Sequence, residues 1–165
     1  MVQSDGPESD AMNFTGKTAI CAGQVEAFGA FTDFDATAEL ARASGAEIRR
    51  LDDMAPDAEG ARWQVEFDLR GTPRTGELQL VEVVAPEKLR FKSRTDGFDA
   101  DIVLEFVRIS PVETRALITA EVAATKLKTR LLLQTAHFAK ARLDRSFRKG
   151  WRRIGRTIEA RLVAT

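Results

Sequence analysis

The chain has 165 residues, 44% hydrophobic and 30% charged, and its 25 basic and 25 acidic side chains cancel to zero net charge. One core is enough for a chain of this length, which buries roughly 70% of the surface its unfolded form exposes. The composition excludes general disorder, no apolar run approaches the roughly 20 residues that span a bilayer, and a lone cysteine, Cys21, excludes an intrachain disulfide or a cysteine zinc cluster.

Residues 1–11 are polar and acidic and lack the basic flank and apolar stretch of a signal peptide. They are expected to form a disordered lead-in, with residues 12–165 as a single domain in the cytoplasm. Residues 14–22 predict a strand. Val25, Phe28 and Phe31 then recur at three-residue spacing, which predicts a short helix with one apolar face. A second helix, carrying Ala38, Leu40, Ala41 and Ala43, is capped by Asp33 or Asp35 and stops at Gly45, a residue that tolerates the left-handed backbone.

Beyond Gly45 the period changes to two. A strand is predicted over 46–53, and Ala61, Trp63, Val65 and Phe67 then alternate with Arg62, Gln64, Glu66 and Asp68, the pattern of a sheet with one buried face. Residues 71–75, with Pro73, predict a turn into a strand over 77–84. Residues 85–87 turn the chain again into a strand over 89–94. The Asp96-Gly97 pair is the composition of a two-residue type I′ hairpin and sets a register. It places Thr95 opposite Phe98, Arg94 opposite Asp99 and Lys92 opposite Asp101, while Ser93, Phe91 and Leu89 meet Ala100, Ile102 and Leu104 on the other face. Residues 110–113 make the last turn, and Ala116, Ile118, Ala120 and Val122 mark a seventh strand.

The chain closes on a long amphipathic helix, with Thr129 as the expected N-cap. Its stripe runs Leu132, Ala136, Ala139, Leu143, Phe147, Trp151, Ile154, Ile158 and Leu162. A straight helix of 35 residues would be roughly 52 Å long against roughly 33 Å for a ten-residue strand, so it should overhang the sheet or bend. Gly150 and Gly155 mark either a close backbone contact or a weak point. Residues 126–165 hold twelve Lys or Arg and only Asp144 and Glu159 as acids, a net +10. The preceding 125 residues therefore carry −10.

This order of elements, strand, two short helices, six strands and a long C-terminal helix, resembles the helix-grip fold of the START and Bet v 1-like (SRPBCC) superfamily. That superfamily includes bacterial polyketide cyclases, lipid-transfer domains and coenzyme Q-binding proteins. The resemblance covers roughly residues 12–163. It is carried locally by Val25, Phe28 and the Asp33-Phe34 step, by Gly45-Ala46-Glu47-Ile48-Arg49-Arg50, and by Leu131-Leu132-Leu133-Gln134. It implies an α+β domain in which a seven-stranded curved antiparallel sheet grips the last helix around an apolar cavity. The inward positions Trp63, Val65, Phe67, Leu78, Leu80, Phe91, Ile102, Leu104, Phe106, Ile118 and Val122 would line that cavity with Leu132, Ala136, Ala139 and Leu143 from the helix. Ser93 is the polar candidate on the inner face.

Catalytic signals are weak. His137, the only histidine, lies one step from the stripe and has no partner identifiable in the sequence, and Cys21 reads as a small buried hydrophobe late in the first strand. Glu66, Asp68, Asp99, Asp101 and Glu105 fall on the outer faces of their strands. There is no phosphate-binding glycine loop, nucleophile elbow or zinc-spaced His-Glu pair, so no cofactor or metal is expected. The expected function is binding or transport of a hydrophobic small molecule or lipid. One alternative is a cyclase-like or hydratase-like enzyme acting on a polyketide or aromatic substrate. Another is an interaction module that uses Arg145, Arg148, Lys149, Arg152, Arg153 and Arg156 to meet an anionic membrane or acidic partner. Nucleic acid is disfavoured, because no stacking aromatics are interleaved with these arginines.

Overall fold

The computed structural model describes residues 11–43, 45–55, 58–69 and 71–164. The expected lead-in lies outside these residues except for Ala11, which opens β1 (Ala11–Ile20) rather than ending a disordered tail. Then come α1 (Gln24–Phe31), α2 (Phe34–Ala43), β2 (Glu47–Arg50), β3 (Arg62–Leu69), β4 (Thr72–Val84), β5 (Lys88–Thr95), β6 (Phe98–Ser110), β7 (Glu113–Ala124), α3 (Leu127–His137) and α4 (Lys140–Ala164). The strands form one antiparallel sheet in the order β1-β7-β6-β5-β4-β3-β2.

Register follows from alternation and turn chemistry. β5 and β6 pair as the Asp96-Gly97 turn requires, from Thr95 with Phe98 to Leu89 with Leu104, and Gly97 takes φ +84°. β4 starts earlier than predicted. Leu69 already pairs with Thr72 across a tight reversal in which Gly71 has φ +79°, so Pro73 lies within the strand opposite Asp68. Proline is tolerated there because β5 pairs with β4 only from Gly76 onward, which leaves the first residues of β4 with a neighbour on one side. The two longest strands carry irregularities between Leu80 and Glu82 and between Arg108 and Ser110, and such bulges bend a strand and increase its twist.

The helices close the inner face. In α1 the apolar face is Ala27, Phe28 and Phe31; Val25, expected on that face, is 72% exposed. Asp33 caps α2, with its Oδ1 accepting from Ala36 N at 3.3 Å. Gly45, at φ +92°, ends the helix: its N–H donates to Arg42 O and that of Ala46 donates to Ala41 O, satisfying two terminal carbonyls.

The predicted single closing helix is two. α3 starts at an N-cap of Lys126, not Thr129. Thr129 is 4% exposed inside the first turn, and its hydroxyl donates to Gly97 O at 2.5 Å, tying α3 to the β5-β6 hairpin. At Phe138 and Ala139 the N–H groups donate to Thr135 O and Ala136 O, three residues back, and the regular pattern resumes when Leu143 N donates to Ala139 O. The expected bend therefore falls between α3 and α4, not at either glycine. Gly155 is instead a close contact: α4 packs on β1 there, facing Thr18. One turn earlier, Trp151 packs on Gly16 and donates its Nε1–H to Ala116 O at 3.1 Å.

Candidate functional site: an apolar cavity beneath the C-terminal helix

Aromatic side chains build the site. Phe34 packs edge-on against Trp63 with ring centres 5.1 Å apart and reaches Phe91 at 6.0 Å, while Phe31 bridges Phe106 at 5.1 Å and Trp151 at 5.5 Å. The rings stand around the space between the curved sheet and the helix without filling it. They leave a cavity of about 200 Å³.

The two short helices give the cavity Phe31, Phe34, Thr37 and Ala38, and the sheet gives it Ile48, Trp63, Leu78, Phe91, Ile102, Leu104 and Ile118, one or two residues from each of β2 to β7. α4 closes it with Trp151 and Ile154. Thr37 is the sole polar residue among the described residues of this lining, and its hydroxyl already donates to Asp33 O at 3.0 Å.

Two depressions adjoin the cavity through shared residues. On the α2 side, Phe34, Ala38, Ile48 and Trp63 also border a polar hollow of about 570 Å³ with Asp35, Arg42, Glu47, Arg49, Arg50, Gln64 and Glu66. Arg50 organises this rim. Its guanidinium lies 5.0 Å from the centre of the Trp63 ring and makes a two-pronged bond to Asp52, at 2.9 and 3.0 Å. That bond, together with N–H donation from Arg62 and Met54, holds the Asp52 carboxyl well below the usual carboxylate range. On the β1 side, Ile118, Trp151 and Ile154 also border a hollow of about 380 Å³ with Leu143, Ser146, Gly150 and the stacked pair Phe14 and Phe147.

Of the positions read as inward from the sequence, Trp63, Leu78, Phe91, Ile102, Leu104 and Ile118 border the cavity. Leu80 and Phe106 are buried in the surrounding core and do not border it. Val65, Phe67 and Val122 are half-buried elsewhere on their strands, and Ser93 borders a separate groove with Lys92, Arg94, Asp99 and Asp101. From the helix, Leu143 borders the neighbouring hollow, and Ala136 and Ala139 flank the α3–α4 break half-buried. Leu132 is a correction: it is 39% exposed, and Leu133, at 6%, holds the inward position. The closing helix meets the cavity about two turns later than expected, at Trp151 and Ile154 rather than up to Leu143. Phe31 and Phe34 extend the three-residue spacing begun at Phe28, Trp151 and Ile154 already stood in the helical stripe, and Ala38 and Ile48 stood in the second helix and the strand after it, so the pattern held these signals; Thr37 had none.

The reactive side chains stand apart. Cys21 is exposed, contrary to the buried position expected of it, and a hydrogen bond from its thiol to Glu159 pushes the thiol pKa up, away from the nucleophilic thiolate. His137 is exposed at the end of α3, and Glu66, Asp68, Asp99 and Glu105 are exposed on the outer face, where Asp101 accepts two bonds from Arg90. Among the described residues no group of His, Cys, Asp or Glu is arranged to hold a metal. Arg145, Arg148, Lys149, Arg152, Arg153 and Arg156 are all exposed.

The family model described as "Activator of Hsp90 ATPase homolog 1-like protein" matches residues 24–162. No curated protein matches the chain. Among solved structures, a protein of Thermus thermophilus superposes with a TM-score of 0.64 at 13% identity, covering 93% of this chain and 98% of that one. The ZhuI aromatase/cyclase of Streptomyces sp. R1128 has a TM-score of 0.61 at 8% identity, covering 81% and 88%. A START superfamily protein of Mycobacterium smegmatis has a TM-score of 0.56 at 12% identity, covering 82% and 96%. At these identities the likeness is one of fold, the helix-grip arrangement of a curved sheet around a closing helix.

Proposed function

The chain belongs to the family of Activator of Hsp90 ATPase homolog 1-like proteins, and from that premise we propose that it binds a hydrophobic small molecule between the sheet and α4. The observation that carries this reading is the cavity of about 200 Å³ whose lining has Thr37 as its sole polar residue among those described. For scale, an engineered apolar cavity of about 150 Å³ stays dry and takes up benzene. A one- or two-ring aromatic or the end of an acyl chain suits the space, and the adjoining hollows leave room for a polar remainder at either rim. Burying about 250 Å² of apolar ligand surface at about 25 cal/mol per Å² gives about 6 kcal/mol, a Kd in the tens of micromolar.

Binding is favoured over acid–base catalysis because no ionisable side chain borders the cavity among the described residues. No helix among the described residues is long and apolar enough to cross a membrane, and a cytoplasmic location is part of this proposal.

Both tryptophans of the chain border the cavity, so intrinsic fluorescence reports its occupancy. Titration with naphthalene derivatives and medium-chain fatty acids should give a saturable change that weakens in Ala38→Leu, which narrows the space without adding a tryptophan. Unsaturable, nonspecific responses from every compound, with an empty protein in native mass spectrometry, would overturn the reading.

A further inference from the structure

α3 is apolar on two sides. Its inner side packs Thr129 and Leu133 against the body of the protein, as expected of a surface helix. Its outer side carries a second ridge, Leu127, Leu131 and the C-cap Phe138, exposed by 70%, 54% and 95%, with the exposed Gln134 between the last two. At 100° per residue these three positions fall within about 40° of one another and roughly opposite Thr129 and Ala136. Phe138 stands at the corner where α3 gives way to α4, with its ring in solvent. Isolated exposed apolar residues are ordinary, but a helical ridge ending in a fully exposed phenylalanine is not.

The adjoining outer face of α4 is cationic without interruption. Arg145, Arg148, Lys149, Arg152, Arg153 and Arg156 occupy it over 12 residues, about 17 Å of helix at 1.5 Å per residue. None of the six makes an ion pair among the described residues. The two acids of α4 do not interrupt the strip. Asp144 pairs with Lys140, and Glu159 lies beyond its end toward Cys21. α4 packs on β1 and α3 on β7 and β1, and ridge and strip both lie on the exposed sides of their helices.

We propose that this surface docks the protein on anionic phospholipid bilayers, with the ridge of α3 entering the interface and the α4 strip lying along the headgroups. Charge alone would serve any polyanion. The exposed ridge selects a bilayer, because interfacial helices combine apolar insertion with basic attraction, and either signal by itself binds only marginally. The zero net charge of the chain favours the same conclusion: attraction depends on orientation, since the −10 remainder is repelled unless the +10 segment faces the surface. The inner face of α4 closes the cavity, so docking would bring the lid of the cavity to the bilayer. The docking itself does not depend on the cavity holding a ligand.

Cosedimentation with vesicles of phosphatidylcholine, with and without 30% phosphatidylglycerol, tests the proposal. Binding is expected to the anionic vesicles only and to fall at least tenfold in 0.5 M salt. The double variant Arg148→Glu/Arg152→Glu should lose tenfold or more, at about 1 kcal/mol for each basic residue near the surface. Leu131→Ser/Phe138→Ser, which leaves every charge in place, should lose fivefold or more. All four positions are exposed, so circular dichroism and melting should be unchanged. Equal sedimentation with neutral and anionic vesicles, or none with either at low salt, would overturn the proposal. So would full retention by the serine variant, because the surface would then be a general polyanion site, and binding to single-stranded oligonucleotides would identify it as one.

Discussion

A methyl group added at Gly155 would sit 2.6 Å from Thr18 Cγ2 and 2.8 Å from its Oγ1, whereas at Gly150 it would meet nothing within 4 Å. Both glycines lie inside α4, where alanine is preferred by about 1 kcal/mol. The same substitution should therefore have opposite signs at the two positions. Gly150→Ala is expected to stabilise by about 0.5–1 kcal/mol. Gly155→Ala gains the same propensity but forces α4 away from β1, and a net loss of about 1–2 kcal/mol is expected, as for other overpacked sites. Urea denaturation measures both, and adding Thr18→Ala to the Gly155→Ala variant should recover most of the loss. If Gly155→Ala behaves like Gly150→Ala, then α4 does not seat on β1 as closely as described, and Trp151, one turn earlier, would lose its fixed place against Gly16 and at the cavity wall.

Among the elements, the β5-β6 hairpin positions α3 as well as the sheet. Gly97 has φ +84°, its carbonyl accepts from Thr125 N at 2.9 Å and from the Thr129 hydroxyl, and a Cβ on it would collide with the Thr129 side chain. Gly97→Ala is expected to cost about 2–4 kcal/mol, combining left-handed strain with the clash. The loss should appear in hydrogen exchange as reduced protection of both the hairpin and the first turn of α3; a loss confined to the hairpin would mean that Thr129 does not couple them. The hairpin was legible in the sequence because turn composition, cross-strand charge and apolar alternation all demanded one register. The α3–α4 break was not. Neither glycine nor proline marks Phe138 and Ala139, and the apolar stripe keeps its phase across them, so only the shift to bonds three residues back reveals it. Leu132 and Leu133 show the same limit on a finer scale. Three consecutive leucines leave the helical phase open, and packing settled it in favour of Leu133. Thr129 does take part in capping, its hydroxyl accepting from Lys126 N at 3.3 Å, but as the third residue of the helix and not its N-cap, and it also has a tertiary partner, Gly97 O, that local sequence does not encode.

For the whole molecule, the cavity is a cost that a filled core would not carry. A fully enclosed void of 200 Å³ would cost about 5 kcal/mol at about 24 cal/mol per Å³, and because this cavity is only partly enclosed its cost when empty is smaller. Even a part of that cost is a disadvantage to a domain with a working stability of roughly 5–15 kcal/mol, unless occupancy offsets it. Ala38 offers a way to test this. It is 8% exposed on α2 and borders the cavity. Ala38→Leu would place three additional carbons in the space, and filling about 60 Å³ should raise stability by about 1–2 kcal/mol. The same variant should lose the tryptophan fluorescence response to aromatic and acyl compounds, while ligand raises the melting temperature of the original protein but not of the variant. Stabilisation with loss of binding would mean that the space is kept open for an occupant, because one substitution narrows it at no structural penalty. Destabilisation would mean that the surrounding rings already claim the volume, and the site would then have to be sought in the two hollows at the rims.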